Sequence, residues 1–386
     1  MSQEKEDLSS EVLDESQGSI LLGLISQLRK GSDLHKVTLP TFVLEPRSML
    51  ERITDFVSHP DLILETAKKE DPVIRFIDVV RYFISIWHVR PKGVKKPYNP
   101  VLGELFRCKW EFENNTEGYY VAEQVSHHPP ISCYVFASPE NNIIITGEVR
   151  PTSKFLGNSA ATIMGGGSKI QFLNRPGEEY FVSTPNIYAR GILFGTMFME
   201  LGDIVTIKCP KTNISCEIEF KVKGFFTGSY NAIAGKVKDD ASGETLFNLS
   251  GKWSEVIYYQ KTNWPNKEVL FDVSTSKIHK KIVAPEEEMN EFESRLLWTK
   301  VTKAMFAKDL DTATEEKSKI EDQQRRVVKN RTGNGTKWEN QFFELNNDEW
   351  KFKCPISDDL LLAKEEIKSF IFSKPRLPMY EKFWTS

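Results

Sequence analysis

The sequence has no long hydrophobic run. Over 386 residues the best candidate for membrane insertion is the stretch 20–25, far short of the roughly 20 apolar residues a spanning helix needs, so an integral membrane protein is not expected. It has little excess charge: 51 Lys and Arg stand against 54 Asp and Glu, a formal net charge of −3. No global field therefore draws it to nucleic acid, and any anion must be recognised by a local cluster. The five cysteines (Cys108, Cys133, Cys209, Cys216, Cys354) are an odd set without a C-x-x-C pair, which argues against a disulfide framework and a zinc ribbon. The acidic start MSQEKEDLSSEVLDESQ is the reverse of a secretory signal or an Arg-rich transit peptide, and a cytoplasmic location is expected. Also missing are a G-x-S-x-G elbow and a G-x-G-x-x-G fingerprint. The run Gly165-Gly166-Gly167-Ser168-Lys169 lacks phosphate-loop spacing and reads as a turn. No catalytic group, cofactor or metal is expected.

What is present is a change of periodicity. Residues 1–18 are acidic and poor in apolar groups, a tail that cannot repay its ordering entropy. Ile20, Leu21, Leu24, Ile25 and Leu28 recur at helical spacing before Gly31, so a short amphipathic helix is expected, either lying on the core or serving as a movable or membrane-touching lid. Residues 46–69 read as helical, and Asp71-Pro72 then opens another helix with Phe76, Ile77, Val80 and Ile84 on one face. From Leu102 to about Val273 short runs of Val, Ile, Phe, Tyr and Thr alternate with turn signals and no long helix intervenes. The fold class expected is α+β, mainly antiparallel β, a meander closing toward a barrel wide enough to hold a ligand. Beyond Pro285 helices return: EEEMNEFESRLLWTKVTKAMF, then ATEEKSKIEDQQRRVVKNR, polar nearly all round and so on the surface or at a wet entrance. The aromatic tail after Gly333 reads as a segment that wraps back onto the body.

Four features carry chemistry. Glu123-Gln124-Val125-Ser126-His127-His128-Pro129-Pro130 lies between two strand-like runs. Consecutive strand side chains face opposite ways, so both imidazoles reach one ligand only where the prolines break the ladder, at a strand end near a mouth. With no carboxylate or cysteine at metal-site spacing, a phosphate suits the pair better than a metal. In Lys95-Lys96-Pro97-Tyr98-Asn99-Pro100-Val101-Leu102-Gly103-Glu104 two prolines stiffen a loop that could hold Lys96 and Asn99 as neighbouring donors, or that is an ordinary basic surface loop. Lys317, Glu321 and Arg325 fall at i, i+4 and i+8, so Glu321 can hold both cations in place, or the three form a solvated ladder. Last, the polar residues 151–158 follow a strand and offer hydroxyls, Ser153 among them.

EQVSHHPP resembles the signature of the oxysterol-binding-protein-related lipid-transfer family, KKPYNPVLGE its second motif and the Lys317/Glu321/Arg325 helix its third. The resemblance spans residues from about 20 to 330. It implies a near-complete antiparallel β-barrel around a lipid tunnel, with a lid at 19–40, N-terminal helices at 41–100, the barrel at 101–284, C-terminal helices at 285–332 and a wrapping segment at 333–386. It further implies that Lys96, Asn99, His127, His128, Lys317 and Arg325 bind the head group of phosphatidylinositol 4-phosphate and that Glu321 orients the cations. KGSDLHKVTLPTFVLEPRSMLER and ARGILFGTMFMELGD look most like the short members that exchange phosphatidylserine for this phosphoinositide between endoplasmic reticulum and plasma membrane. In that branch Leu39 matches a residue beside the acyl chains, and Lys96, Asn99, His127, His128 and Ser153 match those around the serine head group. The expected partners are these two lipids and a transiently touched membrane, with no nucleic acid and the protein a monomer. A sterol/phosphoinositide exchanger, a lipid-sensing scaffold and a hydrolase using His127 or His128 as base are the rivals, the last needing a nucleophile the sequence does not supply.

Overall fold

The structure is a computed structural model that describes residues 10–11, 23, 29–32, 40–91, 93–192, 196–223 and 228–373. The predicted lid residues Leu24, Ile25 and Leu28, and Leu39, lie outside them.

The strands are β1 (Ser10–Glu11), β2 (Leu44–Ser48), β3 (Lys96–Tyr98), β4 (Leu105–Glu111), β5 (Glu117–His127), β6 (Pro130–Ser138), β7 (Ile143–Phe155), β8 (Ser159–Phe172), β9 (Glu179–Val182), β10 (Asn186–Arg190), β11 (Met197–Cys209), β12 (Ile214–Lys221), β13 (Ala232–Asp239), β14 (Thr245–Lys252), β15 (Val256–Lys261) and β16 (Glu268–Asp272). Those from β4 to β16 form one sheet in chain order, every pairing antiparallel. The order forks once: β10 fills the place between β8 and β11 toward one end, and β9 fills it toward the other. The expected meander is borne out. The ladder does not close on itself: β4 and β16 are its edges. The free edge of β4 is taken by the chain returning after β16, where Lys109 and Ile282 exchange two backbone hydrogen bonds of 3.0 and 2.7 Å and Leu105 N–H donates to Phe292 at 2.9 Å. Such cover removes the exposed ladder on which other chains could pair.

Alternation of side chains gives β4–β7 two apolar faces, whereas β12 and β14 turn polar residues such as Glu217 and Asn248 to solvent. One face of β4–β6, with Trp110, Tyr120, Tyr134 and Phe136, packs toward the Pro72–Ser85 helix. That helix starts as expected: the Asp71 carboxylate caps it by accepting from Val73 N–H at 2.7 Å, and Pro72 occupies the first turn. The opposite face, with Tyr119 and Val121 of β5, Val135 of β6 and Ile144 of β7, is covered by the chain after residue 333: Phe342 and Phe343 of a hairpin, β17 (Phe343–Asn346) and β18 (Glu349–Phe352), and Ile367 and Ile371 of the Leu360–Phe372 helix. The buried carboxylate of Glu123 pins this segment, accepting from the backbone N–H groups of Gln341 and Phe342 at 2.7 and 2.8 Å.

Three local expectations are corrected. Residues 46–69 are not one helix: β2 occupies 44–48, and the rest is a series of single turns broken at Pro60. In the 286–306 segment the α-helices start only at Ser294: residues 290–293 form a turn, closed by the Glu293 N–H donating to the Asn290 carbonyl at 3.0 Å, that sets Phe292 and Glu293 against the edge of β4. The Gly165–Gly167 run is no turn but the middle of β8, where Gly166 has φ +91° and a Cβ would collide with the Glu148 carbonyl.

Phe342 is fully buried between sheet and tail. Phe342→Ala is expected to cost about 3–5 kcal/mol of unfolding free energy, read as a shift in urea midpoint; a change under about 1 kcal/mol would mean that the tail does not cover this face in solution.

Candidate functional site

The opposite half of the sheet leaves its inner face unfilled. Every second residue of four strands points into one cavity: Val149, Pro151, Ser153 and Phe155 of β7, Ala160, Thr162 and Met164 of β8, Ile187 and Ala189 of β10, Met197, Met199 and Leu201 of β11. Phe56 and Trp87 close it from the helical side. Its volume is about 250 Å³, far above the ~10–15 Å³ that holds one water, so it is a built space rather than a packing defect. The walls are mostly apolar. The polar residues that line it include Lys96, Asn99, Gln124, Ser132 and Ser153, together with Arg52, Asp55, Arg90 and Lys95.

Three of the expected site residues thus meet at one cavity. Lys96 sits on β3, which pairs parallel with β2 across Leu44 and Lys96, and Lys95 Nζ donates to the Phe42 carbonyl at 2.9 Å. Ser153 is buried and shares a 3.0 Å hydrogen bond with Thr162. It belongs to β7 itself, not to a loop after a strand, and its odd-numbered register is what turns it inward.

His127 and His128 do not line the cavity but stand at the end of the hairpin whose Gln124, Pro130 and Ser132 do. This is the strand end that the proline pair predicts. The register shifts between Gln124 and Ser126, so a bulge re-aims the strand just before the histidines. Their rings meet edge to face at 4.4 Å, His127 half-buried and His128 exposed.

The third motif lies on the Leu310–Gly333 helix. Lys317 is buried and bonds Glu321 at 2.6 Å. The helix reaches the cavity wall indirectly: Thr41 and Thr314 share a 3.3 Å hydrogen bond next to the lining residue Val43, and Ile320 packs with Tyr98 and Val101. Arg325 departs from expectation. It is exposed and pairs with Asp322 rather than Glu321. Each step of four residues turns 40° past a full circle, so Arg325 stands about 80° round from Lys317, and Glu321 holds one cation, not two.

Sequence reasoning missed Glu104. This fully buried carboxylate accepts from the Ser48 hydroxyl, from Ser294 Oγ at 2.7 Å, Trp298 Nε1 at 3.0 Å and Val101 N–H at 3.1 Å. It fixes the loop bearing Lys96 and Asn99 to β2 and to the helices after residue 293. Burial pushes its pKa above the ordinary glutamate range against the pull of these donors.

The comparisons with known proteins bear on this geometry. A family model described as oxysterol-binding protein matches residues 23–304. The chain belongs to the oxysterol-binding protein family. It is 44% identical over 371 residues to oxysterol-binding protein homolog 7 of Saccharomyces cerevisiae, covering 93% of this chain and 84% of that one, and 42% identical over 378 residues to homolog 6, covering 95% and 83%. Among solved structures, the ORD domain of Osh1 in complex with ergosterol superposes with a TM-score of 0.71 at 25% identity, covering 90% of this chain and 88% of that one. The Osh3 ORD in complex with PI(4)P from Saccharomyces cerevisiae gives 0.67 at 20%, covering 92% and 94%, and shows the fold alone. The expected family and fold class are both borne out, with the barrel open at one seam.

A carboxyl whose folded pKa is raised adds stability below the ordinary glutamate range and loses it as pH rises through the raised value. Glu104→Gln, which keeps the shape without titrating, should flatten that part of the pH–stability profile. Glu104→Ala strands the partners of the carboxylate and should cost on the order of 3 kcal/mol or more; urea unfolding across pH reads both, and an alanine variant as stable as the parent would remove the anchoring role.

Proposed function

We propose that this member of the family is a lipid-transfer protein that takes phosphatidylserine and phosphatidylinositol 4-phosphate into the same cavity in turn and exchanges them between endoplasmic reticulum and plasma membrane. The observation that carries the reading is a mostly apolar cavity whose lining includes the polar groups of Lys96, Asn99 and Ser153. Moving a diacyl lipid through water exposes about 0.8 kcal/mol per methylene, a barrier of order 20 kcal/mol for two long chains. Apolar walls remove most of it, while ammonium and amide donors replace the water lost by a head group. One site that admits two lipids lets the gradient of one drive the other, and no bond need be made or broken.

On this reading Lys96, Asn99, His127, His128 and Lys317 contact the phosphoinositide head group, Glu321 orients Lys317, and Arg325 swings from Asp322 to join them. Support comes from the 42–44% identity to the yeast homologs 6 and 7 and from the fold shared with a domain carrying PI(4)P. A sterol as second ligand is favoured by one observation, the likeness to the ergosterol-bound domain.

The test is competition. Purified protein incubated with vesicles holding phosphatidylserine, phosphatidylinositol 4-phosphate and ergosterol, then re-isolated, should carry phosphatidylserine that the phosphoinositide displaces; bound sterol would replace the exchange partner. Lys96→Ala, and His127→Ala with His128→Ala, should each lower phosphoinositide extraction roughly tenfold or more with the thermal midpoint kept. Normal extraction by both folded variants would overturn the site.

A further inference from the structure

The buried stripe of the Leu310–Gly333 helix is not the one the charged spacing suggests. The residues it turns inward are Ala313, Lys317, Ile320, Gln323 and Gln324, spaced three and four apart as on a helix lying on a body, with Gln323 and Gln324 adjacent at its end. Gln324 is only 3% exposed, and among the described residues neither its amide nitrogen nor its carbonyl oxygen has a hydrogen-bond partner. A primary amide offers two donors and an acceptor, and burying it unpaired is costly enough that native proteins seldom do so without a reason.

Its place on the helix supplies one. Four residues before it, Ile320 packs with Tyr98 and Val101. Three residues after it, Val327 packs with Phe292 beside Trp338, whose ring lies where a Cβ on Gly103 would be. The contacts flanking Gln324 on the same helix face thus bracket residues 98–103, whose Tyr98, Asn99 and Pro100 line the cavity. Lys317, two turns earlier, stands about 10 Å away along the axis.

We propose that Gln324 is a specificity residue for an inositol phosphate head group: its amide nitrogen donates to phosphate oxygen and its carbonyl oxygen accepts from a ring hydroxyl, while Lys317 meets phosphate from the same helix. This rests on the phosphoinositide reading above and adds to it a residue outside the charged triad. A serine head group, without ring hydroxyls, depends on Gln324 less.

The experiment measures extraction from phosphatidylcholine vesicles doped with phosphatidylinositol 4-phosphate or with phosphatidylserine, using the full chain, Gln324→Leu and Gln324→Glu. Removing an unpaired buried amide should leave the thermal midpoint of lipid-free Gln324→Leu unchanged or higher, while its phosphoinositide extraction falls roughly tenfold and phosphatidylserine extraction falls clearly less. Gln324→Glu, of the same shape but repelling phosphate, should lose more. Equal losses for both lipids, or a lowered midpoint in both variants, would assign Gln324 to structure alone. Undiminished phosphoinositide extraction by both variants would overturn the inference and leave the exchange reading standing, whereas no extraction by the parent chain overturns that reading as well.

Discussion

A sheet curled around a space has to keep water from its inner face while leaving part of that face empty. Alternation forces the issue, since each strand that sends Val149 or Met199 inward sends its neighbours outward. The protein meets the constraint by dividing labour along the chain. Helical turns before residue 90 fill one half of the interior, the last forty described residues cover the outer face of β5–β7, and the remaining interior is left as the cavity. Core, cover and cavity are therefore consequences of one another. Filling the space with larger side chains would gain packing and lose the purpose of the fold.

Two buried carboxylates join these parts. Glu104 gathers Ser48, Ser294 and Trp298 behind the Lys96–Asn99 loop, and Glu123 takes the backbone of residues 341–342. Both stand inside the very motifs that carry the candidate site. At these contacts the donors are neutral hydroxyl, indole and backbone groups, which give each carboxylate a direction. The motifs thus combine groups that face a ligand with groups that hold the frame, and Gln124 beside Glu123 shows the division in two adjacent residues, one lining the cavity and one pinning the tail.

The meander and the capped helix at Asp71 were legible in the sequence because period-2 alternation and N-cap chemistry are local. So was the strand end at His127, where the turn at His128 and Pro129 ends β5 and Pro130 opens β6. What was not legible depends on partners distant in sequence. Residues 290–293 have helical composition yet form a turn, because the edge of β4 takes the Phe292 carbonyl. Gly165–Gly167 have turn composition yet lie in β8, because Arg150, Val149 and Glu148 stand opposite. Ser153 was noticed for its hydroxyl, but only the register of β7 turns it inward, and the same register marks out the apolar wall that composition alone did not reveal. The 317/321/325 spacing suggests that Glu321 holds both cations, whereas the drift of the helix turns Lys317 in and Arg325 out.

The fork between β8 and β11 has a mechanical meaning. On the β9 side the sheet is riveted to the Pro72–Ser85 helix: Arg75 and Glu178 form a buried bidentate pair at 2.7 Å, and Tyr180 packs between Phe76 and Phe172. On the β10 side every residue is partly exposed and Ile187 and Ala189 border the cavity. Because the ladder is cut in two at this position, the two halves are separate plates on a common pair of rails. The part of the cavity wall that β10 supplies therefore lies on the branch of the fork away from the Arg75–Glu178 tie, held by its ladders to β8 and β11.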